Sequence, residues 1–288
     1  MIVCKFGGSS LADAAGFKNA AEIILSSDKR RVVVLSAPGK HMGQGEKITD
    51  LLLGIVEKNR RGRNFSKAKD LLASRLHDIE FELLGSESIS SSLISTFEKR
   101  LSLGKAHLVS LGEEFSCAVM VEYFKKIGVS VGIFDPAHLL VEVNGNGRVR
   151  VPPSAYEKIR PVLLDLMEKN RVVCAPGFFG TDAHGERWLF SRGGSDYTAV
   201  VLAVALSAEC CEKFTDVDGV MDMNPRVSSD ALLIPNMTYN ELFHILRNSR
   251  SPILHIDALR VARDANLCLR IANSFNPDCE GTIVRSED

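Results

Sequence analysis

Phe190-Ser191-Arg192-Gly193-Gly194-Ser195-Asp196-Tyr197-Thr198 stands between a short apolar run, Arg187-Trp188-Leu189-Phe190, and an unbroken apolar segment from Ala199 to Leu206. The first run reads as a strand and the second as a buried helix, so two glycines and a Ser-Asp pair occupy a strand-to-helix junction. Such a junction leaves backbone N–H groups free and faces the positive end of the helix dipole, which suits an anion. Glycine lets a ligand approach the main chain closely. Arg192 adds a planar fork able to grip a carboxylate or phosphate with two bonds. Asp196 sets a negative charge in this positive setting. The plain structural alternative is a capped helix after a tight turn, with Ser195 or Asp196 as the N-cap.

The same grammar recurs toward the N-terminus. Ile2-Val3-Cys4-Lys5-Phe6 reads as a strand, Gly7-Gly8-Ser9-Ser10 as a turn, and residues 12–26 as a helix with Phe17, Ala20, Ala21, Ile24 and Leu25 on one face. Neither GxGxxG nor GxxxxGK[ST] is present. Lys5 lies in an apolar strand, and burying an unpaired charge is costly. A bound phosphate would supply its partner, as would a nearby carboxylate.

Further along, residues 31–36 read as a buried parallel strand ended by Ala37-Pro38-Gly39, and residues 48–56 as a helix with Thr49 or Asp50 near its start. Residues 57–105 are polar with helical apolar faces. Gly112-Glu113 precedes an apolar helix around 118–124. Asn144-Gly145-Asn146-Gly147 and Asp182-Ala183-His184-Gly185 signal two hairpins. Strands are expected at 129–134, 171–175, 212–216, 267–272 and 282–284, and a helix near 240–247.

Strand–helix alternation with two inserted hairpins predicts an α/β fold: a three-layer αβα sandwich with a mainly parallel sheet, forming one domain of two lobes, 1–190 and 191–288. Ligands of such sheets gather at the carboxyl ends of strands. The clusters Lys5-Gly7-Gly8, Ser36-Gly39, Gly112-Glu113, Arg192-Ser195-Asp196 and Thr215-Asp216 are all expected there, which points to one shared site.

Composition narrows the classes. The 288 residues are 45% hydrophobic and 25% charged with a net charge of −1, which offers nothing to nucleic acid or a membrane surface. The basic cluster between Lys58 and Lys69 reads as a solvated helix end. Seven cysteines without CxxC spacing predict buried, reduced thiols and a cytoplasmic protein. The chain opens on a strand, so no signal peptide is expected. No apolar run approaches the ~20 residues that span a bilayer. The seven histidines are scattered, and a lone one such as His255 is read as structural.

Lys5-Phe6-Gly7-Gly8-Ser9-Ser10, taken with Ser191-Arg192-Gly193-Gly194-Ser195-Asp196, resembles the amino-acid kinase family. Thr215-Asp216-Val217-Asp218-Gly219-Val220, Asn224-Pro225-Arg226 and Asn273-Ser274-Phe275-Asn276-Pro277 narrow the resemblance to the aspartate kinases, in order and over nearly the whole chain. The resemblance implies the same sandwich fold. It also implies MgATP-dependent phosphorylation of the side-chain carboxylate of L-aspartate, the first step toward lysine, threonine and methionine. By position, Lys5 and Asp196 are the catalytic pair. Thr49, Glu113, Arg192, Gly193, Gly194 and Ser195 are on the aspartate side, with Arg192 taking a carboxylate and Glu113 the ammonium. Lys5, Gly7, Gly8, Ser9, Ser36, Thr215, Asp216 and Arg226 are on the nucleotide side. Mg²⁺ is expected to ride mainly on the ATP phosphates, without metal ligands of its own, and the chain to form a homodimer.

Three departures stand out. Met221 and Asn224 replace an aromatic and an acidic residue of many relatives. Arg250-Ser251-Pro252-Ile253-Leu254-His255 lacks the lysine that many place before Leu-His, leaving Arg250 or Lys213 to replace its charge. Only six residues follow Gly281-Thr282, where relatives continue into ACT regulatory domains, so control through such domains is not expected here. Two alternatives remain. One is another acid kinase of the family, acting on acetylglutamate or glutamate, against which Glu113 opposite Arg192 speaks. The other is a non-catalytic relative that binds amino acid or nucleotide, against which Lys5 and Asp196 speak.

Overall fold

A computed structural model describes residues 1–40, 45–223, 231–249 and 252–286. Expectations resting on Asn224, Arg226 and Arg250 fall outside the described residues. Chain order runs β1 (Ile2–Phe6), α1 (Ala14–Leu25), β2 (Arg30–Leu35), α2 (Ile48–Arg60), α3 (Ser66–Leu84), α4 (Ser88–Ser95), α5 (Phe97–Leu103), α6 (Lys105–Val109) and α7 (Leu111–Lys126). It continues with β3 (Val131–Ile133), β4 (Glu142–Val143), β5 (Val149–Arg150), α8 (Tyr156–Lys169), β6 (Val172–Pro176), β7 (Phe179–Thr181), β8 (Arg187–Leu189) and α9 (Gly194–Leu206). The last elements are β9 (Cys210–Thr215), β10 (Asn236–Thr238), α10 (Tyr239–Asn248), α11 (Ile256–Asp264), β11 (Cys268–Asn273) and β12 (Thr282–Arg285).

The central sheet has the order β10-β12-β11-β9-β1-β2-β6-β3. It is parallel throughout except between β11 and β12, as the strand–helix alternation predicts. The two expected hairpins are β4–β5 and β7–β8, each its own two-stranded ribbon.

Strand side chains alternate between faces, and two cores follow. Val3, Val32, Val34, Val173 and Ala175 pack against α8, α9 and α11 on one face. Cys4, Phe6, Val33, Leu35, Val172 and Cys174 pack against α1, α2, α3 and α7 on the other. These are the three layers. Phe6 and Phe214 stack at 4.8 Å on the second face. Beside them Glu212 is buried between two guanidinium groups, with Arg30 Nε at 2.6 Å and Arg270 Nη1 at 3.0 Å. No helix among the described residues is long and apolar enough to cross a membrane.

Two expectations about local setting need correction. Gly112 and Glu113 do not follow a strand: Lys105–Val109 is helical, and the pair lies in the first turn of α7. The run 108–111 is apolar enough for a strand, but a helix packed on the hairpin claims it. Arg192 and Asp196 follow β8, which belongs to the β7–β8 ribbon and not to the central sheet. Lys5-Gly7-Gly8, Ser36-Gly39 and Thr215-Asp216 do stand at the carboxyl ends of β1, β2 and β9. The turn after β1 also passes through a 3₁₀ segment, Gly8–Leu11, before α1 starts behind its Asp13 cap.

Candidate active site

The site is built where β1, β2 and β9 end side by side. The backbones after β1 and β2 touch: the Gly39 N–H donates to the Gly8 carbonyl at 2.7 Å. A Cβ on Gly39 would lie 2.5 Å from that carbonyl oxygen, and one on Gly8 would lie 2.7 Å from the Ala37 carbonyl oxygen. Only glycine fits either position, which explains why both loops carry one. Gly193 has φ +88°, a left-handed conformation that other residues adopt at a cost. It starts α9 by turning the chain out of β8, and Gly194 follows with Phe190 against its Cα. The turn aims the first residues of α9 back at the sheet.

Asp196 in that first turn is buried, with 4% exposure. Lys5 Nζ lies 2.8 Å from its Oδ1, and Lys213 Nζ lies 2.6 Å from its Oδ2. The His255 backbone N–H donates to Oδ2 at 3.1 Å. Oδ1 accepts no hydrogen bond of good geometry, so the Lys5 contact is an ion pair by distance that leaves the oxygen directionally unsatisfied. Burial alone would push the Asp196 carboxyl up; Lys213 and Lys5 together overcome that and hold it far below the usual range. It is a carboxylate at every physiological pH.

Glu113 is likewise buried, and its Oε2 has no hydrogen-bond partner. Burial pushes its carboxyl up to about 8, against the pull of N–H groups from Ala37 and its own backbone and of the Lys5 charge. A buried acid with an orphaned oxygen beside a cavity is a ready partner for a cation. Arg192 stays largely in solvent, where its Nη2 meets Asp50 Oδ1 at 2.7 Å.

A cavity of about 930 Å³ collects these groups. Lys5, Gly7, Gly8, Ser9, Ser36, Thr215 and Asp216 line it. Thr49, Glu113, Arg192, Gly193 and Ser195 line it as well. Gly194 and Asp196 stand behind the wall, supporting it. Further cations reach the cavity from Lys40, Lys47, Lys105, Arg148 and Lys213.

Phe178 and His255 escaped the motif reading, and Lys213 entered it only as a stand-in for an absent lysine charge. Lys213 reaches Asp196 through strand register, which a sequence without pairing information does not disclose. Phe178 lines the cavity with φ +77°, held by an N–H to Thr198 Oγ1 and a carbonyl to the Phe190 N–H. His255 was read as structural. Its Nδ1 accepts the Asp257 N–H at 3.2 Å, so in the neutral ring Nε2 carries the proton and donates to Ser191 Oγ at 2.6 Å. Burial keeps this ring below its usual pKa. The histidine thus ties the start of α11 to the Ser191-Arg192 loop while its backbone holds Asp196. Its signal was the Leu-His pair after Pro252.

Comparisons with known proteins bear on the fold and the family. The sequence matches the amino acid kinase family over residues 1–273. It is 34% identical over 295 residues to aspartokinase 3 of Bacillus subtilis (strain 168), covering 100% of this chain and 64% of that protein. It is 29% identical over 294 residues to lysine-sensitive aspartokinase 3 of Escherichia coli (strain K12), covering 99% of this chain and 64% of that protein. The crystal structure of E. coli aspartokinase III in complex with aspartate and ADP superposes with a TM-score of 0.87 at 28% identity, over 100% of this chain and 65% of that one. Clostridium acetobutylicum aspartate kinase gives 0.83 at 28% identity, over 100% and 63%. The chain spans less than two thirds of the length of these relatives. Fold, site and sequence lead to one statement: the chain belongs to the amino acid kinase family.

Proposed function

We propose that this chain transfers the γ-phosphoryl group of ATP to the side-chain carboxylate of L-aspartate, giving 4-phospho-L-aspartate and ADP. The observation that carries the reading is that Glu113 and Arg192 line the same cavity as Lys5, whose amine is held by Asp196. An α-amino acid with a free ammonium needs an anion, and Glu113 has an unpartnered oxygen to offer. Its carboxylates need a cation, and Arg192 supplies one. Similarity to an aspartokinase crystallised with aspartate and ADP supports the same assignment.

The acceptor is already anionic at neutral pH, so Asp196 has no proton to remove. Its own pKa, held low by two amines, makes it a poor base. Its work is to fix Lys5 beneath the reacting phosphate. Lys5 neutralises charge on the transferring group, and the amides of Gly7, Gly8 and Ser9 receive phosphate oxygens. Positioning supplies most of the acceleration. Thr49, Ser195, Gly193 and Gly194 shape the aspartate side; Ser36, Thr215, Asp216 and Arg226 belong to the nucleotide side. Among the described residues no group of three or more His, Cys, Asp or Glu is placed to cage a metal, and Asp196 is committed to its amines. Mg²⁺ carried on the triphosphate would neutralise phosphate charge.

We assign the aspartate side mainly to residues 1–190 and the nucleotide side mainly to 191–288 of a single domain, with Gly7, Gly8, Ser9 and Ser36 reaching the nucleotide and Arg192 to Ser195 reaching aspartate across that divide. The activity serves the pathway to lysine, threonine and methionine in the cytoplasm, with the chain as a homodimer. A coupled ADP-release assay with hydroxylamine trapping tests the reading. L-Aspartate should give a hydroxamate, while L-glutamate and N-acetyl-L-glutamate should not. Turnover of N-acetylglutamate in preference to aspartate would replace it with the other acid kinase.

A further inference from the structure

Two lysines on adjoining strands, Lys5 buried and Lys213 with its side chain 13% exposed, share one carboxylate. Lys5 of β1 and Lys213 of β9 are Cα partners in a parallel ladder, so both side chains leave the same face of the sheet. Side-by-side cations in a core repel each other and forfeit hydration, so such a pair persists only where something offsets it. Asp196 offers one negative charge for two positive ones. Glu113 is neutral below about pH 8, and burial keeps the His255 ring uncharged. The triad therefore carries a net positive charge, and both amines stand on the cavity wall.

Lys213 is also held in place. One N–H goes to Asp196 Oδ2 and another to the Ile253 carbonyl. Among the described residues nothing takes the third. Apolar side chains fill the neighbouring positions on this face, such as Cys211 and Ile271. An amine here contributes nothing to packing that an aliphatic residue would not.

On the reading given above, we propose that Lys213 is a second catalytic amine, which joins Lys5 in gripping the non-bridging oxygens of the γ-phosphoryl group as it moves from ATP to aspartate. In that step an oxygen of the aspartate side chain forms a bond to the γ-phosphorus. The bond from that phosphorus to the β–γ bridging oxygen breaks, and its electron pair stays on the terminal phosphate of ADP. No proton leaves the acceptor. Lys213 keeps its proton throughout and acts through its charge and its third N–H, with Asp196 as the positioner of both amines.

A pH signature follows. Burial pushes the Lys213 amine down to about 8, with Asp196 of α9 pulling against that shift, Lys5 of β1 adding to it and Asp216 beyond β9 opposing it. His255 faces the same carboxylate and is neutral there. The amine loses its charge above that pH, so kcat should fall with a slope of one proton beyond it.

Lys213→Met leaves Lys5 and Asp196 as a balanced pair, so it should fold with an unchanged Tm. Its kcat should drop about 10²–10³-fold, as for removal of a preorganised donor, with KM for aspartate held within about threefold. Lys213→Arg should recover part of the loss and move the alkaline limb up by more than about one pH unit, because guanidinium keeps its proton. A folded Lys213→Met enzyme within about threefold of the parent kcat would overturn the proposal. So would an alkaline limb unmoved in Lys213→Arg. If the parent does not turn over aspartate at all, the functional reading falls, and Lys213 is then judged by calorimetry with the β,γ-imido analogue of ATP. Lys213→Met, or Lys213→Gln if Met fails to fold, should weaken that analogue at least about tenfold while leaving AMP within about twofold. Equal affinity for the analogue in parent and variant would overturn it.

Discussion

Arg192 Nη2 lies 2.7 Å from Asp50 Oδ1, so the arginine assigned to the substrate already holds a carboxylate of its own chain. Asp50 follows Thr49 in the first turn of α2, where an acid also complements the helix dipole. An incoming dicarboxylic amino acid must displace it. The pair is exposed, with the Arg192 side chain 78% accessible, and such pairs contribute at most about 1 kcal/mol. Asp50→Asn should therefore lower KM for aspartate by about two- to fivefold and leave kcat alone. Steady-state kinetics at fixed ATP check this; a raised KM would mean that Asp50 orients Arg192 and does not compete for it.

Glu113 sets the pH dependence of substrate affinity. Its carboxyl is raised from 4.5 to about 8, so at neutral pH an ammonium must drive out a proton to bind. Affinity for aspartate should rise with pH up to about 8, by as much as about tenfold per unit. Glu113→Gln should flatten that profile and weaken binding. Stability should run the other way. Between 4.5 and about 8 the folded state binds a proton that the unfolded state lacks, so this residue subtracts about 1.4 kcal/mol per pH unit across that window. Denaturant melts of parent and Glu113→Gln at pH 5 and pH 8 should show the variant gaining relative stability at the higher pH.

Lys5 and Asp196 should separate catalysis from folding. Lys5→Ala removes the amine beneath the phosphate yet leaves the Asp196–Lys213 pair, so kcat should fall by at least about 10³ with the fold retained. Asp196→Asn leaves two buried amines without a counter-charge and should destabilise by about 3–5 kcal/mol. The depressed Asp196 pKa gives stability that is present above its unfolded value of 3.8 and fades as pH falls through the folded one. The gap between parent and Asp196→Asn should thus narrow in acid. Thermal melts between pH 2 and 7 measure it.

Gly39 should tolerate no side chain. Its Cβ would meet the Gly8 carbonyl at 2.5 Å, backbone against backbone, with no flexible end to yield. Gly39→Ala should cost about 1–3 kcal/mol and weaken ATP more than aspartate, since it spreads the loops after β1 and β2. Equal weakening of both ligands would show that the two loops serve the whole cavity.

The fold was legible because its signals are local. Short apolar runs gave β1, β2, β6, β9 and β11, the first three with glycine soon after them, and the Asn-Gly and Asp-Ala-His-Gly stretches gave both hairpins. Lys5 could be singled out because a charge within Ile2-Val3-Cys4-Lys5-Phe6 is conspicuous. Lys213 was named only as one of two stand-ins for an absent lysine charge, because two adjacent charges in Cys210-Cys211-Glu212-Lys213-Phe214 do not show which of them faces the site. Only the ladder to β1 shows that it stands beside Lys5. Gly112-Glu113 misled for a related reason: the four residues before it are too few to reveal a helical period, and the helices there are fixed by packing. Glu113 was placed by resemblance, but its orphaned oxygen depends on which atoms surround it, and sequence does not carry that.

Glu212 and Lys213 are neighbours on β9, and they face opposite layers. Glu212 sits between Arg30 and Arg270, while Lys213 sits on Asp196. Sliding β9 by a single residue would exchange them, setting an ammonium among guanidinium groups and one carboxylate against another. Misaligned assembly of the two halves is therefore penalised twice, by like-charge contacts on both sides at once. The same two side chains that prepare the crevice for chemistry also act as a key that admits one alignment of the sheet during folding.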